Sequence, residues 1–366
     1  MKIFFVLNSA WNAKNFRKNL ILSFIKPDND VYIISPAGDE LIFFKKNGCK
    51  IIDYPLDRKS LNPFKELYSI LFILKSFLKI RPDVVFSFTV KPNIYCGLIM
   101  KLHKGTKFFP NISGLGSSFL GKKRVFSLIK FLYKMTVKNA EIIFFQNDFD
   151  LELFNDLNII GSQKKCRVLP GSGINLKDYF YQEDLASSSK NFLFIGRLIA
   201  DKGINEFINV VKLCSENQEL KFSIIGEIDT GNPSSLSIED IKKFNEIKNL
   251  EYLGFQSDIS SYIKKSYCIV LPSYREGTSR VLLEAGACGR PAIASNVPGC
   301  NNVIEDGING LLCEPKSNKS LLKSVQKLSN ISSVKYLEMC RSARKNIENN
   351  FDESIVIFNY HDVINV

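Results

Sequence analysis

The sequence predicts an α/β protein built from two doubly wound parallel sheets, and three observations carry that prediction. Short β-branched or aromatic runs alternate with longer amphipathic segments, as parallel strands with helical crossovers require. The alternation pauses at a turn-rich connector and starts again at Phe192. The chain's 366 residues are two to three times a domain length of about 150, enough for two cores.

In chain order, residues 3–7, 31–35, 84–88, 107–109 and 142–146 read as strands, being short and rich in Val, Ile and Phe. The connector follows as Val168-Leu-Pro-Gly-Ser-Gly-Ile-Asn175, then a polar stretch from Gln182 to Lys190. Its turn residues place a domain boundary near residue 175. Residues 192–196, 221–226, 251–254, 268–272 and 291–295 form the second strand series. The expected domains are residues 1–175 and 176–349. The tail from about Lys335 is expected to be helical, with residues 350–366 returning to the first domain. Open sheets of this kind bind ligands at the carboxyl ends of their strands, so the default active site is a cleft between the two domains.

Hydrophobic residues at 45% and charged residues at 23% exclude a disordered, collagen-like or disulfide-dense chain. The net charge of +12 is unevenly held. Residues 1–180 carry 28 Lys and Arg against 14 Asp and Glu, giving +14, while the rest carry 21 against 23, giving −2. The first half is expected to face something anionic: nucleic acid, a membrane surface or a phosphorylated substrate. Nine cysteines form no CxxC, and His103 and His361 are the sole histidines, so no zinc site is expected. The odd cysteine count, and a first apolar run that turns polar at Asn8, predict a reducing cytoplasm rather than secretion. The apolar stretch from Leu67 to Leu74 is closed by Lys75, well short of the roughly 20 residues of a bilayer span. The segment from Gly121 to Lys138 interleaves six cations with large apolar side chains. It reads either as a helix lying on an anionic membrane or as a core-packing helix with a solvated lysine face.

The most informative stretch is Leu271-Pro-Ser-Tyr-Arg-Glu-Gly-Thr-Ser-Arg-Val-Leu-Leu-Glu-Ala-Gly-Ala-Cys-Gly-Arg-Pro291. A strand ends at Pro272, a loop carries Glu276 and Gly277, and a helix is expected from about Thr278 to Cys288. Open N–H groups at Thr278, Ser279 and Arg280, with the positive end of the helix dipole, would seat a diphosphate, and Gly277 would let it come close. Glu276 and Glu284 can each accept hydrogen bonds from adjacent hydroxyls, which ribose and sugars present. Together these describe a nucleotide-sugar site; the competing reading is a capped surface helix with two solvated glutamates. Upstream, a strand ending in Gly196 is followed by Arg197 and Lys202, which either neutralise a leaving phosphate or form a solvated loop pair.

At these residues the chain resembles the retaining glycosyltransferases of family four, whose fold is GT-B, two Rossmann-like domains facing across a cleft. The resemblance covers nearly the whole chain. In the second half it rests on Glu276-x7-Glu284, Phe194-Ile-Gly-Arg-Leu-Ile-Ala-Asp-Lys-Gly203, Gly226-Glu-Ile-Asp-Thr-Gly-Asn-Pro233, Leu253-Gly-Phe255, Val297-Pro-Gly299, Asp306-Gly307 and Asn309-Gly310. In the first it rests on Ser60-Leu-Asn-Pro63, Lys91-Pro-Asn-Ile-Tyr95 and Gly114-Leu-Gly116. It implies that Arg197 and Lys202 bind the donor diphosphate and, with Glu276, carry the catalysis. Gly226, Phe255, Gly277, Thr278, Ser279 and Glu284 would complete a UDP-sugar site, and Gly114 and Gly116 would border the acceptor. The chain looks most like bacterial enzymes that add a sugar, often N-acetylgalactosamine, to a polyprenyl-diphosphate-linked saccharide in O-antigen, capsule or protein-glycosylation pathways. The resemblance further implies a cytoplasmic, peripheral enzyme at the inner face of an anionic membrane, with no metal, no other cofactor and no nucleic-acid partner.

Three departures stand out. Many family members carry a histidine after the fourth strand of the first domain, where this chain has Asn111-Ile-Ser-Gly114, so no histidine is assigned a role. Asn302 stands where glutamate is usual. The loop after the first strand, Asn8-Ser-Ala-Trp-Asn-Ala-Lys-Asn-Phe-Arg17, lacks the family's Gly-Gly turn, which leaves Lys14 and Arg17 as either acceptor-diphosphate ligands or a solvated helix face. Two motifs mislead. Gly116-Ser-Ser-Phe-Leu-Gly-Lys-Lys123 imitates a P-loop but lacks its Ser or Thr, and Asp28-Asn-Asp30 and Asp148-Phe-Asp150 imitate a metal-binding Asp-x-Asp at an expected turn and helix start. The rival readings are a sugar-nucleotide epimerase of the same shape, which would need histidines, and a non-catalytic membrane or nucleic-acid binder.

Overall fold

The computed structural model describes residues 1–57, 60, 62–101, 103, 105–114, 123–161, 165–181 and 190–365. The chain divides into two compact units. Unit 1 is Met1–Ser172 with Ser354–Val366, and unit 2 is Gly173–Glu353.

Unit 1 runs β1 (Lys2–Val6), α1 (Ala10–Phe16), α2 (Lys18–Ser23), β2 (Asp30–Ser35), α3 (Glu40–Lys46), β3 (Lys50–Asp53), α4 (Pro63–Ile80), β4 (Val84–Phe88), α5 (Val90–Ile99), β5 (Lys107–Ile112), α6 (Lys123–Val137), β6 (Ile142–Phe145), α7 (Asp148–Asp156) and β7 (Lys165–Val168). The strands form one parallel sheet in the order β3-β2-β1-β4-β5-β6-β7. Both faces are covered, which is why its central strands are apolar without alternation. Ile3, Phe5 and Leu7 pack with Ala13, Ile21 and Phe44 of α1, α2 and α3, while Phe4 and Val6 face Ile73, Phe77 and Tyr133 of α4 and α6.

Unit 2 runs β8 (Lys190–Ile195), α8 (Ile204–Leu213), β9 (Leu220–Ile225), α9 (Ile238–Lys242), β10 (Leu250–Tyr252), α10 (Ser260–Lys265), β11 (Cys268–Leu271), α11 (Arg280–Ala287), β12 (Ala292–Ser295), β13 (Gly310–Cys313), α12 (Asn318–Ser329) and α13 (Ser333–Asn350). Its parallel sheet has the order β10-β9-β8-β11-β12-β13. Phe192 and Phe194 pack with Phe207 of α8 and Leu328 of α12, and Leu193 and Ile195 with Ile263 of α10 and Leu283 of α11.

The tail is helical and its last segment returns to unit 1, as expected. Helix α13 stays with unit 2, and α14 (Glu353–Asn365) places Val356, Tyr360 and Val363 in the core of unit 1. Where the chain enters and leaves unit 2, the Ile174 N–H donates to the Phe351 carbonyl at 2.9 Å and the Glu353 N–H to the Ile174 carbonyl at 3.0 Å. Gly173, at φ +65°, permits this approach, because a Cβ there would lie 2.5 Å from Glu353 Cα.

Strands β3, β7 and β13 go beyond the strands read from the sequence. The first two close both ends of the unit 1 sheet and the third closes one end of the unit 2 sheet. In the segment from 121 to 138, α6 buries Ile129, Tyr133 and Val137 but exposes Leu128 and Phe131, so it packs on the core and still keeps an apolar outer face. The P-loop mimic falls largely outside the described residues. Asp30 lies in β2 with Lys50 at 2.7 Å, and Asp148 opens α7, which Asn147 caps by accepting from the Asp150 N–H at 2.8 Å.

Candidate active site

In each sheet the direction of winding reverses beside the first strand of the unit, between β1 and β4 and between β8 and β11. Loops diverge at such switch points and leave room for a ligand. The expected donor residues lie on the loops that leave the carboxyl ends of β8, β9, β10 and β11, apart from Glu284, which lies in α11.

After β8 the chain passes Gly196 and Arg197 and makes a 3-10 turn, Ala200–Lys202, into α8. Gly203 makes the junction possible: its φ is +74°, and a Cβ would fall 2.0 Å from the Pro272 carbonyl oxygen. The Tyr274 N–H and the Ser273 hydroxyl both donate to the Asp201 carbonyl, at 2.9 and 3.1 Å. Lys202 is thereby laid against the loop after β11, where its ammonium pairs with Glu276 Oε1. Glu276 is also held from the loop after β12. Its N–H donates to the Pro298 carbonyl at 3.2 Å, and Gly299, at φ +83°, comes so close that a Cβ would lie 2.5 Å from the Glu276 backbone.

Arg197 donates to Asp229 Oδ2 at 2.6 Å and stays more than half exposed. Gly226 donates its N–H to the Gly254 carbonyl at 2.9 Å, and a Cβ on it would fall 1.8 Å from the Gly196 carbonyl oxygen. These contacts bind the ends of β8, β9 and β10 together and leave Phe255 exposed after β10.

Helix α11 starts at Arg280 rather than Thr278, and the Ser279 N–H donates to the Gly299 carbonyl at 3.0 Å. The expected trio of open N–H groups is therefore corrected, since Ser279 clips two loops together instead. Thr278 Oγ1 accepts from Asn302 Nδ2 at 3.4 Å, so the unusual asparagine still reaches the donor loop.

Glu284 is buried in α11. Tyr179 donates its hydroxyl to Oε1 at 2.8 Å and Arg280 donates Nε to the same oxygen at 3.1 Å. Oε2 is buried with no hydrogen-bond partner among the described residues. Burial pushes this carboxyl above its ordinary range, against the opposing pull of the Arg280 charge and the Tyr179 hydrogen bond. With Glu284 buried, Glu276 half-buried and both paired with cations, the reading of a surface helix with solvated glutamates is overturned.

In unit 1, Ser9 caps α1 by accepting from the Asn12 N–H at 3.1 Å. Lys14 lies over the Phe43 ring at 4.3 Å. Arg17 is not on a solvated face: it is 4% exposed, stacks on Phe88 at 4.6 Å and reaches Ser113 Oγ at 3.5 Å. The place expected for a histidine belongs to a fixed asparagine at the end of β5. Asn111 Nδ2 donates to the Tyr360 hydroxyl at 2.8 Å, and its carbonyl accepts from Asn93 Nδ2 at 2.8 Å. His103 pairs with Thr106 Oγ1 at 3.1 Å, and His361 stacks on Phe24 and pairs with Ser23 Oγ at 2.9 Å. Gly114 takes φ +104°, while Gly116 lies outside the described residues.

Residues 177–350 match the model of the glycosyl transferases group 1 family, and residues 2–147 match the glycosyl transferase 4-like model. The chain is a glycosyltransferase, with a group 1 domain in its second half and a glycosyl transferase 4-like domain in its first. It is 28% identical, over 98% of its length and 97% of the relative's, to the N,N'-diacetylbacillosaminyl-diphospho-undecaprenol alpha-1,3-N-acetylgalactosaminyltransferase of Campylobacter jejuni. It is 23% identical, over 88% of its length and 85% of the relative's, to the UDP-Gal:alpha-D-GlcNAc-diphosphoundecaprenol alpha-1,3-galactosyltransferase of Escherichia coli. Among solved structures, Anabaena HepE with UDP and glucose superposes with a TM-score of 0.81 at 14% identity, over 100% of this chain and 99% of that one. Sucrose-phosphate synthase from Thermosynechococcus elongatus gives 0.81 at 14% identity over 100% and 98%. The fold is that of the GT-B glycosyltransferases.

This glycosyltransferase also holds polar groups that the sequence reading passed over. Arg280 is legible as a partner of Glu284 from its i,i+4 spacing. Tyr179 is not, being 105 residues from Glu284, and Asp229 has no local signal tying it to Arg197. Asn8 and Asn12, in and beside the loop after β1, each have a buried amide oxygen with no partner among the described residues.

Proposed function

We propose that this glycosyltransferase moves a hexose-type sugar, an N-acetylhexosamine such as N-acetylgalactosamine above all, from a UDP-sugar to a saccharide on a polyprenyl diphosphate, with retention. One observation carries the reading: Lys202 on Glu276 and Arg197 lie on the loops at the unit 2 switch point, and α11, which follows the Glu276 loop, carries Glu284 with one oxygen that has no partner among the described residues. As the bond from the anomeric carbon to the diphosphate oxygen breaks, Arg197 and Lys202 take up the charge on the departing UDP. The acceptor hydroxyl attacks from the same face and passes its proton to that phosphate oxygen, so no histidine is needed and positioning supplies much of the rate. Glu284 Oε2 is the acceptor left for a ribose hydroxyl, and the exposed Phe255 ring suits stacking of the base. Because two side-chain cations serve the diphosphate, the reaction is proposed to be metal-independent.

The names of the Campylobacter and Escherichia relatives support the acceptor class, and the latter also supports a UDP donor. The +14 charge of residues 1–180 supports a site of action at the cytoplasmic face of an anionic membrane. The test incubates the enzyme with UDP-, GDP- and ADP-sugars, a polyprenyl-diphosphate disaccharide and EDTA. Transfer from a UDP-sugar alone, giving an α-linked product, is expected. Inversion at the anomeric carbon, or equal UDP release without acceptor, would refute the reading.

A further inference from the structure

Helix α4 buries Ser69, Ile73 and Phe77 against the core, as an amphipathic helix requires. Its opposite face should then be polar. Instead it carries Phe64, Leu67, Tyr68, Leu71 and Leu78, each more than half exposed, with Phe64 at 83%. The row extends about 20 Å at 1.5 Å per residue. Single exposed apolar residues are ordinary, but a contiguous row on one face marks a contact surface. The helix itself is firmly made: Asn62 caps it by accepting from the Phe64 N–H at 3.0 Å, Pro63 opens it, and Arg81 ends it in the left-handed region.

Cations accompany the row. Lys65, Lys75 and Lys79 are exposed, and Lys75 and Lys79 make no ion pair among the described residues. The one acid of α4, Glu66, pairs instead with Lys91 at 2.8 Å and accepts from the Tyr95 hydroxyl. Helix α5 packs between α4 and α6, and α6 adds exposed Leu128, Phe131 and Lys134 to the same layer.

We infer that the α4 row is the surface by which unit 1 docks on an anionic lipid bilayer, the helix lying among the headgroups. Lys75 decides between lipid and a second copy of the chain. It stands within the row, one turn after Leu71 and one turn before Leu78. Packing against another copy would bury its ammonium with no exposed carboxylate from either α4 to meet it. At a bilayer the methylenes stay in the apolar layer while the ammonium reaches lipid phosphates. Among the described residues no helix is long and apolar enough to cross a membrane, so α4 lies on the surface. The inference rests on the proposed function only in that a lipid-borne acceptor brings a bilayer near.

The full chain is floated with vesicles of phosphatidylcholine and with vesicles rich in phosphatidylglycerol. Binding to the anionic vesicles is expected to fall by about tenfold or more in the Phe64→Ser, Leu71→Ser, Leu78→Ser triple variant. The Lys75→Glu, Lys79→Glu variant should lose the preference for phosphatidylglycerol. Both variants should keep the wild-type melting temperature and wild-type transfer to a water-soluble, short-prenyl acceptor. Flotation of the triple variant like the wild type overturns the inference, as does a wild type that binds neither vesicle. A dimer in light scattering that the serine substitutions split gives the row to a second copy and also overturns it. A wild type that transfers sugar to no acceptor refutes the proposed function, while the flotation result still decides α4.

Discussion

The two sheets share the order of their first six strands but furnish their switch points in opposite ways. At the unit 2 point, Gly203, Gly226 and Gly299 remove the Cβ atoms that would hold the loops apart, and the space gained is filled with the ion pairs of Lys202 and Arg197. At the unit 1 point the loop after β1 has no glycine, its cation Arg17 is buried on an aromatic ring, and its neighbours are the amides of Asn8, Asn12, Asn93 and Asn111. The difference follows the proposed chemistry. A departing diphosphate needs fixed positive charge, whereas a sugar hydroxyl needs hydrogen-bond acceptors and shape.

Substitutions on each side sharpen the contrast. Lys202→Ala should lower kcat by about 10²- to 10³-fold, the usual loss when a charge-stabilising group is removed, with little change in melting temperature. Comparable loss of kcat in Lys14→Ala would break the contrast. Glu284→Gln should raise the donor KM by roughly tenfold with a smaller effect on kcat, since it weakens a contact made before and during transfer. Burial raises the pKa of Glu284, so the wild-type donor KM should begin to climb, as pH falls, at a higher pH than an ordinary carboxylate would give. That limb should be missing in Glu284→Gln; a limb that persists unchanged would assign the titration elsewhere. In unit 1, Thr89 holds φ +72°, a strained value for a β-branched residue. Thr89→Gly should therefore leave stability unchanged or raise it by about 1 kcal/mol in thermal melts, where an exposed strand or helix would lose by the same change. Lys14→Ala, which among the described residues removes a contact with the Phe43 ring, is expected to stay within about 0.5 kcal/mol of wild type in stability.

What the sequence disclosed followed burial. Strands covered on both faces, such as β1, β4, β8 and β11, show runs dominated by Val, Ile, Leu and Phe and could be read directly. β3 and β7 could not: they are four-residue edge strands, Lys-Ile-Ile-Asp and Lys-Cys-Arg-Val, with exposed ends and charged residues within so short a run. β13 escaped because a glycine opens it and two leucines make up its middle. Glu276, Glu284, Arg197 and Lys202 were legible because strand, loop and helix signals fixed their places along the chain. Their partners were less so. Tyr179 and the backbone grip of Gly299 on Glu276 depend on loops that meet only after folding. The outer face of α4 was hidden for a different reason, since an apolar run without period shows neither which side is buried nor that both sides are apolar.

The central claim is that Arg197 and Lys202 grip the diphosphate of the donor. Calorimetric titration of UDP and of uridine into the wild type and the Arg197→Ala, Lys202→Ala double variant tests it most directly. The account predicts that the wild type prefers UDP, that the double variant loses about 100-fold in UDP affinity, as two charge-assisted contacts allow, and that uridine binds both alike. Equal UDP affinity in the two proteins would contradict it.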